Sequence, residues 1–230
     1  MTFDPQNEAD PLKNGFGSLE ILNEEILSPK SGFTVHTRKN MIVVTYVRDG
    51  MMIHIGPLEK PDFMMTSDFQ WAKVTPDKNQ YAFNASESED AHIFQCGFSP
   101  RGGIFESTGE IKKLFTHAER KGILKLIASS DGRESSLAIR QDIEIYSTLL
   151  YTGNHMIHEI SPNRSAWLQV VKGHVRVNDF QLQTGDGAGF SDERTASFIA
   201  QIPTEILIFE LSGKISGEAK TKLKNENKSI

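Results

Sequence analysis

From Gly15 onward the chain alternates short apolar runs with turn residues. Residues 18–22 (SLEIL), 41–47 (MIVVTYV) and 51–55 (MMIHI) are rich in β-branched and aromatic side chains, and Arg48, Asp49 and Gly50 form a hairpin signal between the last two. The same texture returns at 124–128, 137–146, 167–171, 174–177 and 205–209, each run bounded by Gly, Asp, Asn or Ser. Short strands at this spacing predict a sandwich or barrel in each half. Between them, residues 110–120 place Ile111, Leu114 and Phe115 on one face of a predicted helix, which marks a linker. The first 14 residues are polar and carry two prolines, predicting an extended arm, and the lysine-rich stretch from Ser212 predicts a solvated tail.

The halves also repeat one pattern. An apolar strand ending at Val47 meets Gly50, a second strand follows, and Ser67-Asp68 precedes an aromatic segment. In the second half a strand ending at Val171 meets Gly173, a strand follows, and Gly185-Asp186 precedes residues 187–190. This predicts two similar β units in one chain of 230 residues.

Charge narrows the function classes. Lys+Arg 25 against Asp+Glu 30 leaves a net charge of -5, which argues against a protein that grips nucleic acid by neutralising phosphates over its whole surface. One cysteine, Cys96, excludes an internal disulfide framework and a multi-thiolate cluster, and its apolar surroundings predict a buried structural thiol. No stretch has the pattern of a signal peptide or reaches the ~18 apolar residues of a membrane span, so the expected location is cytoplasmic, without membrane contact.

The ordered motifs resemble the pirin-like bicupin family. In the first half these are residues 17–23 (GSLEILN), 44–47 (VTYV), 68–71 (DFQW) and 83–86 (FNAS); in the second they are 136–146, 164–178, 182–188 and 205–211. The resemblance implies an all-β fold of two cupin (jelly-roll) barrels with a short helical linker. Expected boundaries are an N-terminal barrel with its arm at 1–108, the linker at 109–122, a C-terminal barrel at 123–211 and a polar tail at 212–230. Family members commonly hold one metal ion on a His-x-His pair and a later His-x-Glu pair. The matching positions here are His36 and Arg38, then Gln80 and Ala82. A guanidinium repels a cation, alanine has no donor atom, and an amide oxygen is a weak ligand, so no metal cofactor is expected.

His36 reads either as a relic of that site or as a polar residue at a strand end, and Arg38 either as an anion-recognising fork or as a surface arginine. His54 and His92 would complete a noncanonical ligand set with His36 only if all three entered one barrel. His155 and His158, three apart on a strand, are expected on opposite faces, and each of the pairs Met51-Met52 and Met64-Met65 should supply one core and one outer residue. Trp71 is a packing residue or a stacking surface for an aromatic ligand. The pocket candidates are therefore His36, Arg38, Gln80, His54 and Trp71. They predict a small-molecule-binding or regulatory protein whose ligand is anionic or aromatic. Two alternatives come from the resemblance: a quercetin 2,3-dioxygenase-type enzyme using iron, nickel, copper or zinc on noncanonical ligands, and a transcriptional cofactor acting through protein partners without touching nucleic acid itself.

Overall fold

The structure is a computed structural model describing residues 2–3, 6, 8–35, 40–56, 60–77, 80–100, 110–213 and 220–222; side chains of 110 and 220–222 are outside the description. It divides into two compact units, Phe3–Phe115 and the chain from Thr116 onward. In the first, the strands are β1 (Leu19–Leu27), β2 (Gly32–Val35), β3 (Met41–Asp49), β4 (Met51–Ile55), β5 (Pro61–Met65), β6 (Asp68–Val74), β7 (Gln80–Asn84), β8 (Ala91–Phe98) and β9 (Glu110–Leu114). They form a five-stranded sheet in the order β1-β8-β3-β6-β9 and a four-stranded sheet in the order β2-β7-β4-β5. Val47 and Ile93 from the larger sheet pack with Met52, Met64 and Ala82 from the smaller one, which places the core between the sheets.

The second unit opens with a single-turn helix α1 (His117–Arg120), followed by β10 (Lys125–Ser129), β11 (Leu137–Ala138), β12 (Ile143–Leu150), β13 (His155–Glu159), β14 (Arg164–Lys172) and β15 (His174–Val177). Then come β16 (Phe180–Gln183), β17 (Gly187–Phe190), β18 (Thr195–Ala200), β19 (Thr204–Ser212) and β20 (Lys220–Lys222). Its sheets run β11-β10-β12-β19-β14-β17-β20 and β13-β18-β15-β16. The run β12-β19-β14-β17-β20 repeats the order of the first unit's larger sheet, and the smaller sheets match strand for strand.

The turns repeat as well, which aligns the units residue by residue. After Val47↔Ile93 the next registered pair is Asp49↔His92, and after Val170↔Ile206 it is Lys172↔Glu205, so each long strand carries its irregularity just before Gly50 or Gly173. Both glycines have positive φ, 83° and 108°, and a Cβ at either would fall within 2.7 Å of a carbonyl oxygen, of Asp90 or of Pro203. The acidic turns share their bonds: Ser67 N–H donates to Val47 O as Gly185 N–H does to Val170 O. Asp68 accepts from Met65 N–H as Asp186 does from Gln183 N–H.

One sequence expectation needs correction. Residues 110–120 do not form one helix: Glu110–Leu114 is a strand registered on β6 through Trp71↔Ile111, and only His117–Arg120 is helical. Pairing with the open side of β6 outweighs a weak helical pattern, because five residues gain a hydrogen-bonded ladder that an isolated short helix does not supply. The helix that remains starts where Thr116 and Glu119 form a reciprocal capping box. Within the segment expected as a polar tail, Lys220–Lys222 forms a strand that pairs with β17 through Gly187↔Lys222.

The central strands are buried on both faces. All seven residues from Met41 to Val47 are buried, as are all eight from Thr204 to Leu211, and such strands read in sequence as continuous apolar runs. Strands of the four-stranded sheets instead alternate in burial: Met52 and Met64 point inward while Met51 and Met65 are exposed, as the period of two requires.

Candidate functional site

Inside the first unit one row of the core is polar. Asn23↔Gln95, Thr45↔Gln95 and Thr45↔Gln70 are registered across β1, β8, β3 and β6. These residues share the phase of Val47 and Ile93 and so face the core. The four-stranded sheet contributes Asp62, His54 and Gln80, with His54 registered against both Asp62 and Ala82. Thr45, His54, Gln70, Gln80 and Gln95 are all buried.

Hydrogen bonds orient most of this row. Gln80 Nε2–H donates to Lys73 O at 2.8 Å, which turns Gln80 Oε1 toward His54 Nε2, 3.1 Å away. An amide oxygen only accepts, so the proton of His54 sits on Nε2. Across the core, Gln70 Nε2–H donates to Asp62 Oδ2 at 2.9 Å, and Lys112 Nζ donates to Asp62 Oδ1 at 2.7 Å. Two acceptors are left over: Gln70 Oε1 and Asn23 Oδ1 are buried and have no hydrogen-bond partner among the described residues. A buried acceptor left unsatisfied costs ~1–3 kcal/mol, so these two atoms favour a molecule that presents hydroxyl or N–H donors.

The two described residues at the family's metal positions, Gln80 and Ala82, do not fit a metal ion. Of the four family positions, His36 and Arg38 lie outside the described residues; they follow Val35, whose Cα pairs with Gln80. The other two are described. Ala82 has no donor atom and sits in the apolar core, while the one ligating atom of Gln80 already accepts from His54. His54 would have to give up that bond to ligate through Nε2. Among the described residues no group of three or more His, Cys, Asp or Glu side chains is arranged to hold an ion.

The noncanonical set weighed from sequence does not assemble. His92 occupies the opposite phase of β8 from Ile93, bonded to Glu24 at 3.0 Å, and so does not share the interior with His54. Trp71 is likewise corrected: Gln70, Ala72 and Val74 face the core, so Trp71 turns to the other side of the sheet, where it is buried away from His54 and Gln80. Cys96 is buried, and burial pushes its thiol well above the ordinary range, in keeping with a structural role.

Sequence reasoning missed Thr45, Gln70, Gln95 and Asn23. The usable signal was a polar residue at the inward phase of an otherwise apolar strand. The same signal marks Glu210 in β19, which shares a phase with Ile206 and Ile208. Glu210 lies 3.1 Å from His158 Nε2 and 2.8 Å from Arg164, with the Tyr146 ring 5.1 Å from that of His158. Burial pushes the Glu210 carboxyl up, but hydrogen bonds from His158 and Ser161 N–H and the charges of His158 and Arg164 outweigh it and hold the pKa below the usual glutamate range. His155, three residues before His158, is exposed on the opposite face, as its spacing predicts.

Comparison with known proteins places this architecture. Residues 126–211 match the family described as the quercetinase C-terminal cupin domain. Over 210 residues, 91% of this chain and 89% of the relative, the chain is 30% identical to the quercetin 2,3-dioxygenase of Escherichia coli K12. It is 29% identical over 203 residues, 87% of this chain and 86% of the relative, to a pirin-like protein of Caulobacter vibrioides. The crystal structure of bacterial pirin YhhW from Escherichia coli in complex with nickel(II) superposes with a TM-score of 0.81 at 30% identity, covering 92% of this chain and 90% of that one. With its two-sheet units repeated in one order, the chain belongs to the pirin-like family of bicupins.

Proposed function

We propose that this chain is a small-molecule-binding or regulatory bicupin whose first unit takes its ligand without a resident metal. The observation that carries this reading is the polar row Asn23, Gln95, Thr45 and Gln70, which sits where the second unit has only tyrosine and apolar residues, together with its two unpartnered acceptors. Such a site favours a hydroxylated, aromatic-sized molecule that donates hydrogen bonds to Gln70 and Asn23. Arg38, beyond the end of β2, would add a fork for a phenolate or carboxylate on the same ligand. Elemental analysis of protein purified without chelator tests the metal-free part: near one tightly held iron, nickel, copper or zinc per chain overturns it. Calorimetric titration with polyphenols tests the ligand class, with Gln70→Leu and Arg38→Ala expected to weaken binding about tenfold or more while leaving the fold intact. The triple variant Arg38→His, Gln80→His, Ala82→Glu should acquire measurable divalent-metal affinity; if it folds and binds none, the assignment of these positions is wrong.

A second reading, metal-dependent quercetin 2,3-dioxygenase activity, is favoured by the 30% identity to the Escherichia coli enzyme. Incubation with quercetin and added divalent ions separates the two. Turnover that disappears in His36→Ala supports the enzyme, and its absence with every ion supports the binding protein.

A further inference from the structure

The outer face of the first unit's four-stranded sheet is apolar in its registered pairs, where the corresponding face of the second unit mixes His174, Arg176, Gln181 and Gln183 with Ile157 and Ile199. On β4 and β5, Met51 is registered with Met65 and Ile53 with Phe63, and on β4 and β7, Ile53 is registered with Phe83 and Ile55 with Tyr81. The aligned pairs in the second unit are His174 with Gln183, Arg176 with Gln181 and Arg176 with Ile199. Antiparallel sheets that meet water on one side normally alternate apolar-in and polar-out, as β15 of the second unit does. The first unit breaks that rule on its solvent side. Phe63 is 59% exposed, Met65 60%, Tyr81 46% and Met51 38%.

At ~200 Å² for each such side chain fully open, these four present roughly 400 Å², at the upper end of what a monomer leaves open without function. We infer that this face packs against the same face of a second copy of the chain. Three observations select that occupant. Within the registered pairs the face carries no charged side chain, so no complementary charge selects an unlike partner. The lysine-rich stretch after Gly213 has too few apolar residues to cover it. The area also suits a dimer: doubled by a two-fold axis, the four side chains contribute ~800 Å², and the half-buried Ile53, Ile55 and Phe83 on the same face bring the total toward the ~1,000 Å² that a biological interface should clear. Two sheets meeting face to face would interdigitate Phe63 and Met65 at the ~10 Å spacing of stacked sheets.

The proposed association is a reversible dimer in the ~micromolar range. Sedimentation velocity and light scattering on the full chain, from ~1 to ~200 µM, should show mass rising from monomer to dimer. Phe63→Lys with Met65→Lys should raise the dissociation constant at least ~30-fold, with an unchanged circular-dichroism spectrum. Because lysine on a strand can perturb the sheet itself, Phe63→Thr with Met65→Thr, which keeps β-forming side chains, should also raise it at least ~10-fold. Gln181→Lys with Gln183→Lys, the same positions on the second unit, should leave it unchanged. A wild-type protein that stays monomeric across the range overturns the inference. So does a dimer that survives the threonine pair, because it must form through another surface.

Discussion

Set side by side, the two units differ least in their turns and most in the two faces of their smaller sheets and in the middle of their cores. Thr45, Gln95 and Gln70 of the first unit align with Leu168, Ile208 and Ala188 of the second, and His54 with Val177. Size is exchanged as well as polarity. Ala72 and Ala82 stand where the second unit has Phe190 and Phe198, both packed into its core. The hairpins, the acidic turns and the strand order are shared, so these determine the fold, and the residues at the centre are free to diverge. One unit has spent that freedom on filling its interior. The other keeps amides, a hydroxyl and an imidazole there, at a cost in stability where their hydrogen bonds are incomplete, as at Gln70 Oε1 and Asn23 Oδ1.

The largest expected effect comes from making the second unit resemble the first. Phe198→Ala, which copies Ala82, should lose ~3–5 kcal/mol in urea unfolding, because a closely packed core cannot collapse around the missing ring. A loss under ~1 kcal/mol would show that this core is already loose.

Glu210 comes next. Its folded pKa lies below the ordinary value, so its carboxylate stabilises the second unit fully above about pH 4.3, and that contribution is lost as pH falls through the lower folded value. Glu210→Gln should therefore destabilise the protein at neutral pH, and the gap to wild type should close on acidification. Parallel stability curves for the two proteins would contradict the assignment.

The reverse exchange, Ala82→Phe, should cost ~1–2 kcal/mol from overpacking and abolish binding of polyphenols to the first unit. Retained affinity would move the ligand elsewhere. Smallest is Gln70→Leu. Removing an amide with an unsatisfied oxygen should change stability by less than ~1 kcal/mol, although it also removes the bond to Asp62. A loss above ~2 kcal/mol would make Gln70 a structural residue and weaken the case for a ligand.

Much of this was legible before any coordinates. The period of two split Met51 from Met52 and Met64 from Met65 into one outer and one core residue each, the repeated glycine and aspartate turns announced two similar units, and the three-residue offset of His155 and His158 placed them on opposite sides. These features are local, set by a period of two or by a turn's need for positive φ, and local physics is readable along a chain. That Ala82 offers no donor atom was readable too, since alanine lacks one wherever it lies. His36 and Arg38 themselves lie outside the described residues.

What only the tertiary structure decided concerns residues far apart in sequence. That Asn23, Thr45, Gln70 and Gln95 form one row depends on the register of four strands from across the first unit. That Gln80 spends its oxygen on His54, or that Trp71 and His92 face away from it, follows from the same pairing. Residues 110–114 became a strand because β6 offered them a partner. A sequence specifies which side chains can alternate inward; the ladder specifies which of them meet, because hydrogen-bond register joins positions that chain distance leaves independent.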